Sequence, residues 1–149
     1  NHDLTEKYPL QRRSYGMMPP IEASTTFRNN LMHFVEVAKS RNIRILLASQ
    51  PMHPNEKLFE RCQGYKSYND VVNYPLQNEF PAHHTHYNAI IEDVATKSGV
   101  LFLDSAKAVG QDYKYFIDTV HYSKIGIEKL AAIFSEFLIE ENIIGSLSG

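Results

Sequence analysis

Cysteine is almost absent: Cys62 is the only one among 149 residues. That excludes an internal disulfide and any metal site built from several thiolates. Long apolar runs are missing as well, since no stretch approaches the roughly 18 residues that a membrane-spanning helix requires. Neither sign of charge dominates, the formal net charge being −2 with histidines neutral. Nothing therefore suggests a surface for nucleic acid or for an anionic membrane. There is no internal repeat and no low-complexity tract. The opening Asn1-His2-Asp3-Leu4 carries neither an initiator methionine nor a signal-peptide pattern. We therefore expect a piece of a longer polypeptide, and localisation is left open.

What is present is an ordinary globular composition, 43% hydrophobic and 21% charged. The length corresponds to one domain, 1–149, large enough to bury a core. Residues 1–23 are polar and turn-rich and read as a loop or extended segment. Phe27, Leu31, Phe34, Val35 and Ala38 fall at helical spacing behind an N-cap at Ser24 or Thr25. Ile43 to Ser49 is short, β-branched and nearly all apolar, as a buried parallel strand should be.

Residues 51–82 interrupt the pattern. Asn55 to Cys62 suits a short helix, and the remainder is rich in Tyr, Asn and Pro, with Tyr65, Tyr68, Tyr74 and Phe80. Connections of this length are often lids or binding loops, and an ordered surface insertion is the equal alternative. Helical spacing returns at Tyr87, Ile90, Ile91, Val94 and Ala95 and ends at Ser98-Gly99. Val100 to Leu103 reads as a second buried strand, Lys107 to Lys114 as a loop. A last amphipathic helix runs from Lys124 to Glu140, with Ile127, Leu130, Ala131, Phe134, Phe137 and Leu138 on one face. Helices alternating with short buried strands predict an α/β protein with a parallel sheet covered by helices in three layers. Two or three strands are too few for such a sheet, where four to six are usual, so the fold is expected to be incomplete at its N-terminus.

The chemistry-bearing candidates stand in loops. Asp118 and His121 lie three residues apart just before the last helix. A histidine acting as general base needs its second ring nitrogen held by an acceptor, and an Asp in the same turn can supply it. The bland alternative is that Asp118 merely caps a turn. His53, in the loop after the first strand, and Tyr122 are candidates for lining a pocket there. His83-His84-x-His86 invites a metal reading, but no acidic or Cys partner has ligand spacing. A solvated N-terminal helix turn is the expectation, with no metal and no cofactor. Ser49 and Ser105 follow strands but lack the glycines of a nucleophile elbow.

The phrase Asp118-x-x-His121-x-Ser123-x-x-Gly126, followed by Leu130-Ala131, resembles the C-terminal signature of the SGNH (GDSL-type) hydrolase superfamily. Phe27-Arg28-Asn29-Asn30-Leu31 with the strand after it, and Tyr87 to Asp104, are similar to other elements of that family in the same order. The resemblance spans about Thr25 to Glu140. It implies a flavodoxin-like α/β/α fold and a serine esterase or lipase in which Asp118 and His121 are two members of the triad. The family's Gly-Asp-Ser block and its second, glycine-bearing block are absent. Asn1 matches either the oxyanion-hole Asn of a variant third block or simply a terminal residue.

The expectation is thus an ester hydrolase whose nucleophile serine lies upstream of residue 1, acting on a small-molecule ester, with an N-terminal fragment of the same protein as a candidate partner. The rival is a non-catalytic α/β module binding carbohydrate or another ligand on the same scaffold.

Overall fold

Apolar residues at helical spacing produce the long helices of the computed structural model, which describes residues 14–15, 24–61, 65–66, 72–74 and 77–144. Asn1, Cys62 and Tyr68, and parts of the 51–82 segment, lie outside the described residues. Helix α1 spans Ser24–Ser40 and buries Val35 and Ala38. Phe27 and Leu31 pack half-buried against the same core, whereas Phe34, expected on that stripe, is 58% exposed. The helix ends at Asn42, which adopts a left-handed φ of 56°. This lets Ile43 N–H return to the Ala38 carbonyl at 3.0 Å.

Strand β2 follows at Leu46–Ala48 and pairs in parallel with β5, Leu101–Leu103, in the register Leu46–Leu101, Leu47–Phe102 and Ala48–Leu103. Both are shorter than the sequence suggests. The ladder pairs three residues of each strand, and Ile43 to Ile45 and Val100 lie outside it. The chain is an α/β protein. A second small sheet has the order β1-β4-β3. There β1 (Ser14–Tyr15) runs parallel to β4 (Val72–Tyr74), and β3 (Tyr65–Lys66) antiparallel to it. Alternation of Tyr, Asn and Pro hid this pairing.

Helix α3 (Phe80–Ser98) starts earlier than its apolar period indicates, because Pro81 occupies the first turn, where its missing N–H costs nothing. Gly99 closes it at φ 63°. Its buried Ile90, Val94 and Ala95 join Val35 of α1 and Leu47 of β2 in one core cluster.

The loop expected at Lys107 to Lys114 is largely helical. Asp104 caps α4 (Ser105–Val109), and Asp112 caps a 3-10 turn at Tyr113–Tyr115. A short helix α2 (Glu56–Phe59) forms behind Asn55, whose side chain accepts from Lys57 and Leu58 N–H. Leu58 is wholly buried and packs with Val109 and Phe116 in a second cluster, flanked by Tyr122, Leu130 and Ile133. Burying a side chain of that size stabilises by roughly 1.5–3 kcal/mol, so this cluster is what seats the loop before α5 (Lys124–Glu140).

Large apolar groups remain outside both clusters. Ile43 is 56% exposed and Ile127 of α5 57%. A cleft of about 410 Å3 lined by Phe34, Val37, Ile43 and Leu46 runs beside β2. On the edge away from β5, β2 has no strand partner among the described residues. None of the described helices is long and apolar enough to cross a membrane.

Candidate active site

The loop from Phe116 to Ser123 is fixed at three levels. At its base, Phe116 and Tyr122 form an antiparallel bridge, and Ile117 N–H donates to the His121 carbonyl at 3.0 Å. Behind it, the Ser123 hydroxyl accepts from Gly126 N–H at 3.1 Å and donates to the Lys114 carbonyl, capping α5. Underneath, Phe116 and Thr119 are buried at 3% and 1% exposure. His53 N–H donates to the Thr119 carbonyl at 2.9 Å. That bond ties the loop to the segment leaving the C-terminal end of β2, where α/β proteins gather their sites.

Within this frame the two oxygens of Asp118 do different work. Oδ1 accepts from the backbone N–H groups of Val120 at 2.9 Å and His121 at 2.8 Å, which closes the turn. Oδ2 stands 2.8 Å from His121 Nδ1. The capping role and the orienting role are both filled by one carboxylate. Its side chain is 8% exposed, that of His121 68%. An ionised carboxylate can only accept, so the neutral imidazole carries its proton on Nδ1 and leaves Nε2 as a lone-pair base facing outward. Hydrogen bonds to a charged acceptor are worth roughly 1.5–3 kcal/mol each, and the two backbone donors hold the carboxylate whether or not the ring is in place.

The other candidates are placed as follows. His53 is half-buried, with its ring edge-on to Phe116 at 5.5 Å and to Tyr113 at 5.8 Å. Its Nδ1 accepts from Asn55 N–H at 3.0 Å. Through these contacts and the Thr119 bond it supports the loop. Tyr122 is half-buried against Phe116, and burial raises its phenol above the ordinary range.

His83, His84 and His86 lie in the first two turns of α3, all three half-buried. His86 Nε2 is 2.8 Å from Ser24 Oγ, joining α3 to the start of α1. His84 is partly buried against Phe80, its Nε2 has no partner, and desolvation lowers its pKa. Among the described residues no three His, Cys, Asp or Glu side chains group as a metal site.

The serines after the strands are structural. Ser49 Oγ donates to Asp104 Oδ1 at 2.8 Å and accepts from Ala106 N–H at 2.9 Å. Ser105 Oγ donates to the Ser49 carbonyl in a fully buried contact. Neither bonds His121.

Two site features escaped sequence reading. Gly126 is packed so closely that a Cβ there would lie 2.0 Å from the Tyr115 carbonyl oxygen; its place in the Asp118–Gly126 phrase was the available signal. Thr119 is enclosed with its Oγ1 unpartnered, and no local signal announces that. The comparisons add no relative: neither the known family models nor the curated proteins yield a match.

Proposed function

We propose that this chain carries the acid–base half of an SGNH-type serine esterase. His121 Nε2 takes the proton of a serine hydroxyl as that oxygen attacks the ester carbonyl. The resulting imidazolium is supported by Asp118, then protonates the departing alcohol, and the neutral ring next activates the water that releases the acid. The observation that carries the reading is the 2.8 Å contact from His121 Nδ1 to a buried Asp118 oxygen, with the other ring nitrogen left free.

The nucleophile belongs to a segment upstream of residue 1. Support comes from the edge of β2 that has no strand partner among the described residues, and from the exposed Phe34, Ile43 and Ile127. Parallel sheets are ordinarily buried on both faces, so further strands there would complete a three-layer, flavodoxin-like sandwich.

The experiment compares p-nitrophenyl acetate hydrolysis by the 149-residue chain with that by a polypeptide extended through the upstream coding sequence. The extended protein is expected to turn over and to lose at least ~10³-fold in kcat on His121→Ala, the scale of a lost triad member. The short chain is expected to be inactive. Hydrolysis that is indifferent to His121→Ala, or robust in the short chain, would overturn the proposal.

A further inference from the structure

A second cleft, of about 360 Å3, is lined by residues of α3 and α4 and by the ends of β2 and β5, and neither Asp118 nor His121 lines it. Its size falls within the range of roughly 300–1,000 Å3 typical of small-molecule sites. Its floor is where both parallel strands end, at Ser49-Gln50 and Asp104. Two walls face each other across it, Glu92 and Asn88 from α3, and Lys107 from α4, with Gln111 beyond.

Part of this polar lining is already committed to structure. Asn88 exchanges two 2.9 Å bonds with the Gln50 backbone, and Asp104 Oδ1 accepts from the Ser49 hydroxyl and from Lys107 N–H. These contacts make the floor rigid. Among the described residues the side chains of Glu92, Lys107 and Gln111 have no such internal bond, and they remain as an acceptor, a donor and an amide that is both. Half-buried Phe102, which packs against the core beneath, adds an aromatic residue to the lining.

The charge balance narrows the ligand. Two carboxylates against one ammonium give phosphate or carboxylate ligands no net attraction. His84 also lines the cleft, and desolvation lowers its pKa, which disfavours a compensating cation there. Interspersed donors and acceptors around an aromatic patch, on a shallow rigid floor, match a ligand whose hydroxyls both donate and accept and whose ring presents an apolar C–H face. We propose that this cleft is a binding site for a neutral saccharide, one pyranose seated on Phe102 with its hydroxyls shared between Glu92, Lys107 and Gln111.

The proposal is independent of the esterase reading, because binding is measured without hydrolysis. The test follows backbone amide shifts of the full chain by NMR while maltotriose, xylotriose or N-acetylchitotriose is added, with inorganic phosphate as the competing chemistry. Saturable shifts clustered at Gln50, Asn88 and Lys107 with at least one sugar are expected. In the double variant Glu92→Ala, Lys107→Ala the affinity should fall at least tenfold; both side chains are exposed, and an unchanged spectrum elsewhere verifies the fold. Absence of saturation with all three sugars, unchanged affinity in the double variant, or tighter binding of phosphate than of any sugar would each overturn it.

Discussion

Replacing Gly126 with alanine isolates the packing that positions the loop carrying Asp118 and His121. In an ordinary helix interior this change stabilises by about 1 kcal/mol, since glycine loses more backbone freedom. Here the new Cβ would lie 2.0 Å from the Tyr115 carbonyl oxygen and 2.9 Å from its carbon. The obstacle is backbone, which cannot rotate aside, so α5 and the 3-10 turn must separate by about an ångström or more. The same carbonyl accepts Ser123 N–H at 2.9 Å, so the separation also strains the cap of α5 and the Phe116–Tyr122 bridge.

Overpacking of this kind costs typically about 1–3 kcal/mol, and a weakened hydrogen bond adds about 1 kcal/mol. Subtracting the propensity gain of about 1 kcal/mol leaves a net loss of about 1–3 kcal/mol. At about 2–4 °C per kcal/mol for a chain of this size, Tm should fall by about 2–12 °C. Urea unfolding supplies the free energy at unchanged slope, and the exposed Ala132→Gly in the same helix calibrates propensity. Stability equal to wild type, or greater, would refute the close approach of α5 to the turn.

The enclosed Thr119 hydroxyl has no partner, so Thr119→Val should leave stability unchanged or raise it by up to about 1 kcal/mol; a loss above about 1 kcal/mol by urea unfolding would mean that Oγ1 is bonded after all. His84 supplies a pH signature. Its pKa is lower folded than unfolded, so the unfolded state binds more protons as pH falls below 6.5, and stability drops there until the folded-state value is passed. His84→Phe should therefore lose less stability than wild type between neutral and mildly acid pH; parallel pH profiles would contradict the burial of that ring.

Much of this architecture is legible in the sequence because it is local. Helical spacing marks α1, α3 and α5, and the apolar runs around Leu46–Ala48 and Leu101–Leu103 mark the two paired strands. The errors follow from what is not local. Phe34 keeps the period of α1 yet faces out, because period alone does not say whether a neighbouring layer covers a residue. Pro81 sets the start of α3 upstream, and His84 within it is partly buried. The hydrogen-bonded capping residues Asp104 and Asp112 turned an expected loop into helical turns.

At the site, the Asp118–His121 spacing was readable, but the division of one carboxylate between turn and ring was not. The support from His53 beneath Thr119 joins segments far apart in the chain, which no short motif encodes. The paired structure at β1, β3 and β4 depends on such long-range partners too.

The central claim is that Asp118 holds a neutral His121 with its proton on Nδ1 and a free base at Nε2. Long-range 15N–1H correlation of the imidazole at a pH where the ring is neutral reads that tautomer directly. The expected result is a protonated Nδ1 and an unprotonated Nε2 at His121, reverting toward the Nε2-protonated form usual in water when Asp118→Ala removes the acceptor. A His121 ring protonated on Nε2 in the unaltered chain, or one whose tautomer ignores Asp118→Ala, would contradict it.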